Sequence, residues 1–188
     1  MYLTQISSKA AILKIAFVLA LAVSLFHHAT IAQAVNNSYL GNGYFSTSNL
    51  KRCHIGGYST QAQNASARWS SDTDINMSYN CTGTHITTNN SNWGNSGWAG
   101  KAVITNVNGQ NNLNPGFDYN VMYQSCTARL NQWYFDNNPI FYTNAEIQKL
   151  ATHELGHCYS LDHATNTSVM NNSSVPQTQD INLINARY

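Results

Sequence analysis

Charged side chains are scarce in this chain of 188 residues, which has nine Lys and Arg against eight Asp and Glu. It also lacks a basic run and any clustering of Arg with aromatic residues, so we expect no nucleic-acid partner. Asn, Ser, Thr, Gly and Tyr are abundant instead. Such a surface stays soluble through neutral hydrogen-bonding groups and steers charged partners weakly. A protein that binds sugar polymers can share this composition, but so can an ordinary secreted protein, which we favour.

Long apolar runs are also missing, apart from residues 15–26. As a helix this run would rise about 18 Å, which is too short for a hydrocarbon core of about 30 Å. Lys9 and Lys14 precede this run, and the small-x-small sequence Ala32-Gln33-Ala34 follows it. This arrangement is typical of a secretory signal peptide over residues 1–34. We therefore predict cleavage after Ala34 and a secreted mature domain of residues 35–188 without a membrane span. Without Lys9 and Lys14, seven basic residues face eight acidic ones, a net charge of −1.

No Cys-x-x-Cys pair is present, which argues against a thiolate zinc site. The even number of cysteines after the signal peptide predicts two disulfides, for which three connectivities exist. Among them we favour Cys53–Cys81 together with Cys126–Cys158. Their spacing alone does not decide among the three.

Hydrophobic periodicity and turn residues predict alternating strands and helices without an internal repeat. The clearest element is a helix over 143–161, which Thr143 or Asn144 caps and whose first turn Glu146 complements. A second helix over 58–69 has Ser59 or Thr60 as its cap. The other predicted elements are strands at 49–55, 74–79, 101–107, 121–126 and 128–135, loops at 88–100 and 109–120, and a helix at 177–185. This order indicates an α+β fold.

Four residues in and after the long helix have the spacing of a catalytic zinc site. His153 and His157 are four residues apart, so both imidazoles face one side of the helix and can bind one ion at about 2.0–2.1 Å. His163 completes the set if the chain turns after the helix, and three neutral nitrogens leave a position open for water. Glu154 points beside the metal, where it can take a proton from the zinc-bound water and pass it to the leaving amine.

The pattern His153-Glu154-x-x-His157-x-x-Ser160-x-x-His163 resembles the long zinc signature of the metzincin peptidases. Ser168-Val169-Met170 is similar to their Met-turn. The segments 58–79, 128–131 and 180–188 resemble the opening, the middle and the closing helix of matrixin-like catalytic domains. The resemblance is best over residues 58–188.

This resemblance implies a metzincin (zincin-like) fold, with a twisted mixed β-sheet, an active-site helix and a short carboxy-terminal subdomain that closes with a helix. It implies His153, His157 and His163 as ligands of one catalytic Zn²⁺, Glu154 as general base, and Met170 as a structural floor rather than a ligand. The activity would be that of a secreted, monomeric zinc metalloendopeptidase whose protein or peptide substrate lies extended along an edge strand. Residues 171–176 should form the wall of the pocket next to the cleaved bond.

Some residues depart from the family pattern or leave questions open. Ser160 stands where the family has glycine, and a left-handed conformation there would cost about 1–2 kcal/mol. Ala164 stands where individual metzincin families differ, so the subfamily stays open. His85 and Asp118 are spare ligands, and an additional structural Zn²⁺ or Ca²⁺ stays open as well. Cys53 is similar to the cysteine that caps the zinc in latent matrixins, an interpretation that competes with the disulfide.

Two other functions fit parts of the sequence. A secreted binding module for glycans or proteins could retain a zinc site, and the loop with Trp93 and Trp98 motivates it. Glu154 argues against this module because a structural zinc site does not need a carboxylate there. A hydrolase of cell-wall peptides or of one narrow target protein would use the same chemistry on another substrate.

Overall fold

A computed structural model describes residues 38–188 of the protein, so the predicted signal peptide and its cleavage after Ala34 lie outside the described residues. Within this part, no helix is long and apolar enough to cross a membrane. The strands are β1 (Asn49–Ile55), β2 (Asn76–Tyr79), β3 (Ile86–Ser91), β4 (Gly100–Asn106) and β5 (Tyr123–Asn131), and the helices are α1 (Ser59–Asp72), α2 (Gln132–Asn137), α3 (Asn144–Cys158) and α4 (Thr178–Asn185).

The five strands form one mixed sheet in the order β2-β1-β3-β5-β4. All neighbours are parallel except β4, which pairs antiparallel with β5 and forms one edge of the sheet. The long helix α3 packs against β4, β5 and α1, and the Trp69 indole donates a hydrogen bond to the Thr152 carbonyl of α3 at 3.0 Å. The predicted combination of a mixed sheet with a long helix is therefore confirmed, and α3 lies beside the sheet edge β4.

The elements that the sequence predicts from strong local patterns have nearly the predicted bounds. Strand β1 has the predicted bounds and β4 is shifted by one residue. In α3 the Thr143 hydroxyl accepts a hydrogen bond from the Glu146 N–H, which confirms the predicted cap. The helix ends at Cys158 rather than at Leu161, because the chain turns there towards His163. The last helix begins at Thr178, one residue after the predicted start, with Gln177 as its cap.

Two predictions along the sheet are wrong. Residues 88–91 belong to β3 and not to a loop, although the strand is almost entirely polar. It is held in the core by the Asn90 side chain, which donates to the Leu130 carbonyl at 2.9 Å and so replaces an apolar contact. The strands predicted at 121–126 and 128–135 are one strand, β5, followed by α2, because no turn residue separates them and Asn131 caps the helix.

The first helix and the strand after it differ in detail from the prediction. Neither Ser59 nor Thr60 caps α1, which instead follows Tyr58 in the left-handed region at φ 57° without a side-chain cap. Strand β2 covers only Asn76–Tyr79 of the predicted 74–79 and lies at the other edge of the sheet. This position explains why the Tyr79 side chain is 60 % exposed.

Both disulfides pair as favoured. Cys53 of β1 is bonded to Cys81, and Cys126 of β5 is bonded to Cys158 at the end of α3. The first bond excludes Cys53 as a thiolate that caps a metal. The second ties the carboxyl end of α3 to the sheet directly after His157.

Candidate metal centre

Three histidines meet at the carboxyl end of α3. The rings of His153 and His157 lie on one side of the helix with centroids 4.8 Å apart. After Cys158 the chain leaves the helix through Ser160, at φ 75°, and turns back. His163 thereby reaches the other two, with ring centroids 4.5 Å from His157 and 5.3 Å from His153. Within residues 38–188 this is the only cluster of three or more His, Cys, Asp or Glu side chains suited to a metal ion.

Hydrogen bonds orient two of these rings. Nδ1 of His153 lies 2.8 Å from the Val169 carbonyl, and Nδ1 of His157 lies 2.8 Å from the Leu161 carbonyl. A carbonyl only accepts, so each Nδ1 carries the proton and each Nε2 keeps a free lone pair. Burial lowers the pKa of His153, and burial together with the neighbouring His153 lowers the pKa of His157 to about 3. Both rings are therefore neutral donors at neutral pH.

The cluster fits a single metal ion. Its ligand atoms lie within 4.8 Å of one another, whereas nitrogens bound to one ion at about 2.0–2.1 Å can be at most about 4.2 Å apart. Rotation of the His163 side chain, which is 71 % exposed, can close this difference. Three imidazoles can hold a metal ion and leave one side of it open.

Glu154 is buried between α3 and β4, with 4 % of its surface exposed. Its carboxylate lies against the backbone of Gly100, where an added Cβ would come within 2.5 Å of Oε1. Burial raises the pKa of Glu154 to about 8, and a hydrogen bond from the Ala102 backbone opposes this shift. The carboxylate thus borders the histidine cluster without belonging to it, as the sequence predicts for a general base.

Met170 is fully buried and packs against α3 at Gly156, the residue before His157. Asp180 of α4, also fully buried, holds the preceding turn by accepting from the Ser168 hydroxyl at 2.6 Å and from the Val169 N–H at 3.0 Å. Because the Val169 carbonyl orients His153, Asp180 acts on this histidine through the turn. The sequence comparison placed Asp180 in the closing helix but did not identify this role.

Ser160 has the positive φ that its position in the signature predicts, and its hydroxyl group is hydrogen-bonded. Arg187 donates to Ser160 Oγ at 2.7 Å, and the Tyr123 hydroxyl donates to it at 3.1 Å. These bonds fix the turn that carries the chain to His163. Sequence reasoning missed both partners, since they are 27 and 37 residues away along the chain.

Two cavities border Glu154, one on each side. The first has a volume of about 330 Å³, and its lining includes Trp98, Tyr142, Leu150 and Val169. Of the residues 171–176 that were predicted to form a pocket wall, Asn171 lines this cavity. The second, of about 220 Å³, lies between the histidines His157 and His163 and the residues Leu40, Asn112 and Tyr119. The sequence contained no signal for most of these lining residues, because they come from separate loops.

His85 and Asp118, the two spare candidate ligands, do not form a metal cluster within the described residues. Nδ1 of His85 accepts from the Lys51 N–H at 2.9 Å, and Oδ1 of Asp118 accepts from the Asn120 N–H at 2.8 Å. Both groups therefore serve local backbone geometry in the described part of the chain, and a second metal stays open.

Comparison with known proteins gives little beyond this geometry. No protein-family model matches the chain, and no curated protein matches it. Among solved structures, the crystal structure of myroilysin matches with a TM-score of 0.49 and 10 % sequence identity, covering 85 % of this chain and 97 % of that chain. The function must therefore be argued from the histidine cluster and its surroundings.

Proposed function

We propose that the protein is a secreted zinc-dependent peptidase of the metzincin type, with a matrixin-like catalytic domain. The observation that carries this proposal is the convergence of three imidazoles beside a buried carboxyl group that is not part of their cluster. Three nitrogen ligands with an open side are the donor set of catalytic zinc sites, whereas structural sites are closed by a fourth protein ligand. Two disulfides agree with an oxidising, extracellular compartment.

Each residue has a separate task in peptide hydrolysis. His153, His157 and His163 would hold Zn²⁺, which when bound polarises the peptide carbonyl and makes water a better nucleophile at neutral pH. A bound cation lowers the pKa of a neighbouring carboxyl group, so Glu154 would be ionised there, accept a proton from the attacking water and then deliver it to the leaving nitrogen. The Val169 and Leu161 carbonyls keep two imidazoles in the required tautomer. The edge strand β4 lies beside Glu154 and can orient an extended peptide.

The tryptophan pair gives less support to a glycan-binding module. Trp93 and Trp98 pack against each other with centroids 5.4 Å apart, and Arg129 lies over the Trp93 ring at 5.6 Å. Both side chains are half-buried, and Asn131 fixes their loop by donating to the Gly94 and Trp98 carbonyls. The pair therefore stabilises the loop instead of forming an open aromatic platform, although Trp98 also lines the larger cavity.

The decisive test is the Glu154→Gln variant, compared with Asp136→Asn, which changes an exposed carboxylate on α2. We expect Glu154→Gln to bind zinc but to hydrolyse peptides about 10²–10⁴-fold more slowly, because the proton acceptor is lost. Asp136→Asn should behave like the native protein. Zinc content by elemental analysis and cleavage of a peptide library measure the two properties. Undiminished turnover in Glu154→Gln would refute the mechanism, and bound zinc without any cleavage by the native protein would favour a binding module.

A further inference from the structure

The edge of the sheet next to the candidate metal centre is partly covered by the protein's own chain. After β4 the chain reverses at Gly109, which has φ 77°, and residues 110–112 return along the outer edge of β4. We call them the return segment. The Asn106 N–H donates to the Gln110 carbonyl at 2.9 Å, and the Asn112 N–H donates to the Ile104 carbonyl at 3.0 Å. The return segment therefore occupies the position of an added strand.

The side chain of Asn112 extends this cover towards Glu154. Its Oδ1 accepts from the Ile104 N–H at 3.1 Å, and its Nδ2 donates to the Ala102 carbonyl at 3.2 Å. The amide thus imitates the peptide group that a bound strand would offer. The outward-facing N–H and carbonyl of Ile104 and the outward-facing carbonyl of Ala102 therefore already have partners.

The return segment is firmly held. The fully buried Asn106 side chain accepts from the Gln110 N–H at 3.1 Å, and Asn112 also donates to the Tyr119 hydroxyl at 3.3 Å. The Tyr119 carbonyl in turn accepts from the Gly43 N–H at 2.7 Å. A substrate would have to break these bonds to pair with Ile104.

On the other side of Glu154, the edge of β4 begins at Gly100. The backbone N–H and carbonyl groups of alternate β4 residues point away from β5. The Ala99 carbonyl accepts from the Asn131 N–H of β5, so the backbone groups of the next residue, Gly100, point outwards, as those of Ala102 do. Antiparallel pairing is the more stable mode, and a substrate that pairs antiparallel with β4 would place its amino flank over Ala102 and Ile104. The Asn112 amide is bonded to the Ala102 carbonyl, and Asn112, Tyr119 and Glu154 line one cavity, so on this flank the cover begins close to Glu154.

We propose that the return segment leaves room for only a short amino flank of the substrate, so that the protein removes short amino-terminal pieces from extended chains. This inference rests on the proposed peptidase function. An endopeptidase, which the sequence predicts, needs a free edge on both flanks of the cleaved bond. Here the carboxyl flank would follow Gly100 towards the larger cavity, whereas the amino flank would end at Asn112 and Tyr119.

The test measures peptide binding, so it does not depend on turnover. The zinc-loaded Glu154→Gln variant is titrated with labelled peptides that share one core and carry two or six residues on its amino side, or two or six on its carboxyl side. The same titrations follow with Asn112→Ala added, and with Asn114→Ala as the control from an exposed position of the same loop. Asn112→Asp, which keeps Oδ1 but cannot donate to Ala102, replaces Asn112→Ala if thermal unfolding shows that the latter is not folded.

We expect the longer amino flank to weaken binding about tenfold, the energy of one or two hydrogen bonds, and Asn112→Ala to remove most of this difference. The longer carboxyl flank should not weaken binding, and Asn114→Ala should change nothing. The inference is overturned if amino-flank length has no effect, if Asn112→Ala leaves the effect unchanged, or if no peptide binds. Failure of the peptidase function is recognised separately, because the native protein would then cleave none of these peptides.

Discussion

At the scale of single residues, the candidate site depends on close approaches that only small or specific side chains permit. Gly100 lets the backbone of β4 touch the Glu154 carboxylate, and Gly156 lets Met170 pack directly on α3. Neither glycine has a positive φ, so space rather than backbone conformation requires them. Such contacts are rigid because a packed core cannot move by the width of a methyl group without cost.

Gly100→Ala should displace the Glu154 carboxylate. The new Cβ would come within 2.5 Å of Oε1, and a displacement of about 1 Å costs about 10²-fold in rate. We therefore expect normal zinc content with strongly reduced peptide cleavage. Gly94→Ala is the matched control, because that residue has φ 66° and no atom within 4 Å of an added Cβ. It should lose about 1 kcal/mol of stability and keep its activity. Equal activity in both variants would contradict the role of Gly100.

Ser160 allows a comparison of backbone strain with hydrogen bonding. Ser160→Ala and Ser160→Gly both lose the bonds from Arg187 and Tyr123, but only alanine keeps the cost of φ 75°. We expect both to be less stable than the native protein by about 1–3 kcal/mol, and Ser160→Ala to be less stable than Ser160→Gly by about 1 kcal/mol. Urea unfolding measures both differences. Equal stability of the two variants would show that the turn leaves the left-handed region.

At the scale of elements, helix α3 carries the site because it is fixed along its whole length. Thr143 caps its amino end, Trp69 of α1 bonds to its middle, and the Cys126–Cys158 disulfide joins its carboxyl end to β5. Two histidines four residues apart share a face of any helix. Their distance from Gly100 and the rest of the edge strand β4 is set by these three attachments.

The two disulfides should therefore have different effects on metal binding. Their sequence separations are 32 and 28 residues, so removal of either pair by Cys→Ala substitution should cost a similar 3–4 kcal/mol, about the value expected from loop entropy. Only the loss of Cys126–Cys158 should weaken zinc binding, by about tenfold, because Cys158 follows His157 directly. Zinc competition with a chromophoric chelator measures this. An equal loss of affinity after removal of Cys53–Cys81 would argue against a local role.

At the scale of the whole molecule, segments from the two ends of the described chain meet next to His163, the third histidine of the cluster. The Leu40 N–H donates to the Ser160 carbonyl and the Asp162 N–H donates to the Ser38 carbonyl, both at 2.8 Å. From the other end, Arg187 donates to the Gly41 and Gly43 carbonyls and to Ser160 Oγ. The loop between His157 and His163 is thus enclosed by segments that are far apart in sequence.

Arg187→Met tests how much these hydrogen bonds contribute to the free energy of unfolding and to zinc binding. The substitution keeps much of the side-chain volume but removes three hydrogen bonds from a cation to half-buried groups, so we expect a loss of about 2–4 kcal/mol in the free energy of unfolding and weaker zinc binding. Arg68→Met is the control, because Arg68 makes an ion pair with Asp72 within α1 and is 48 % exposed. That change should cost less than about 1 kcal/mol. Chemical denaturation and zinc competition check both variants, and a cost for Arg187→Met as small as that for Arg68→Met would contradict the prediction.

Sequence patterns identified features whose cause is local. Helix α3 and its cap follow from spacing and polarity over a few residues, and the positive φ at Ser160 follows from its place in the signature. The strands β3 and β5 were misjudged because their burial comes from neighbouring strands and from side-chain bonds such as that of Asn90, which no periodicity reveals. The same holds for the left-handed Tyr58, which stands at the start of α1 in place of the expected cap by Ser59 or Thr60.

The sequence by itself determined which residues can hold a metal, because a turn of helix and a short loop bring His153, His157 and His163 together with few alternatives. It also singled out Glu154 and predicted two disulfides, whereas which cysteines pair follows from the structure. The tertiary structure alone decided what surrounds them: Gly100 against the carboxylate, Arg187 on the Ser160 turn, and Asn112 on the edge of β4. These contacts join residues from different elements or loops, and their positions depend on the packing of the whole sheet rather than on local spacing.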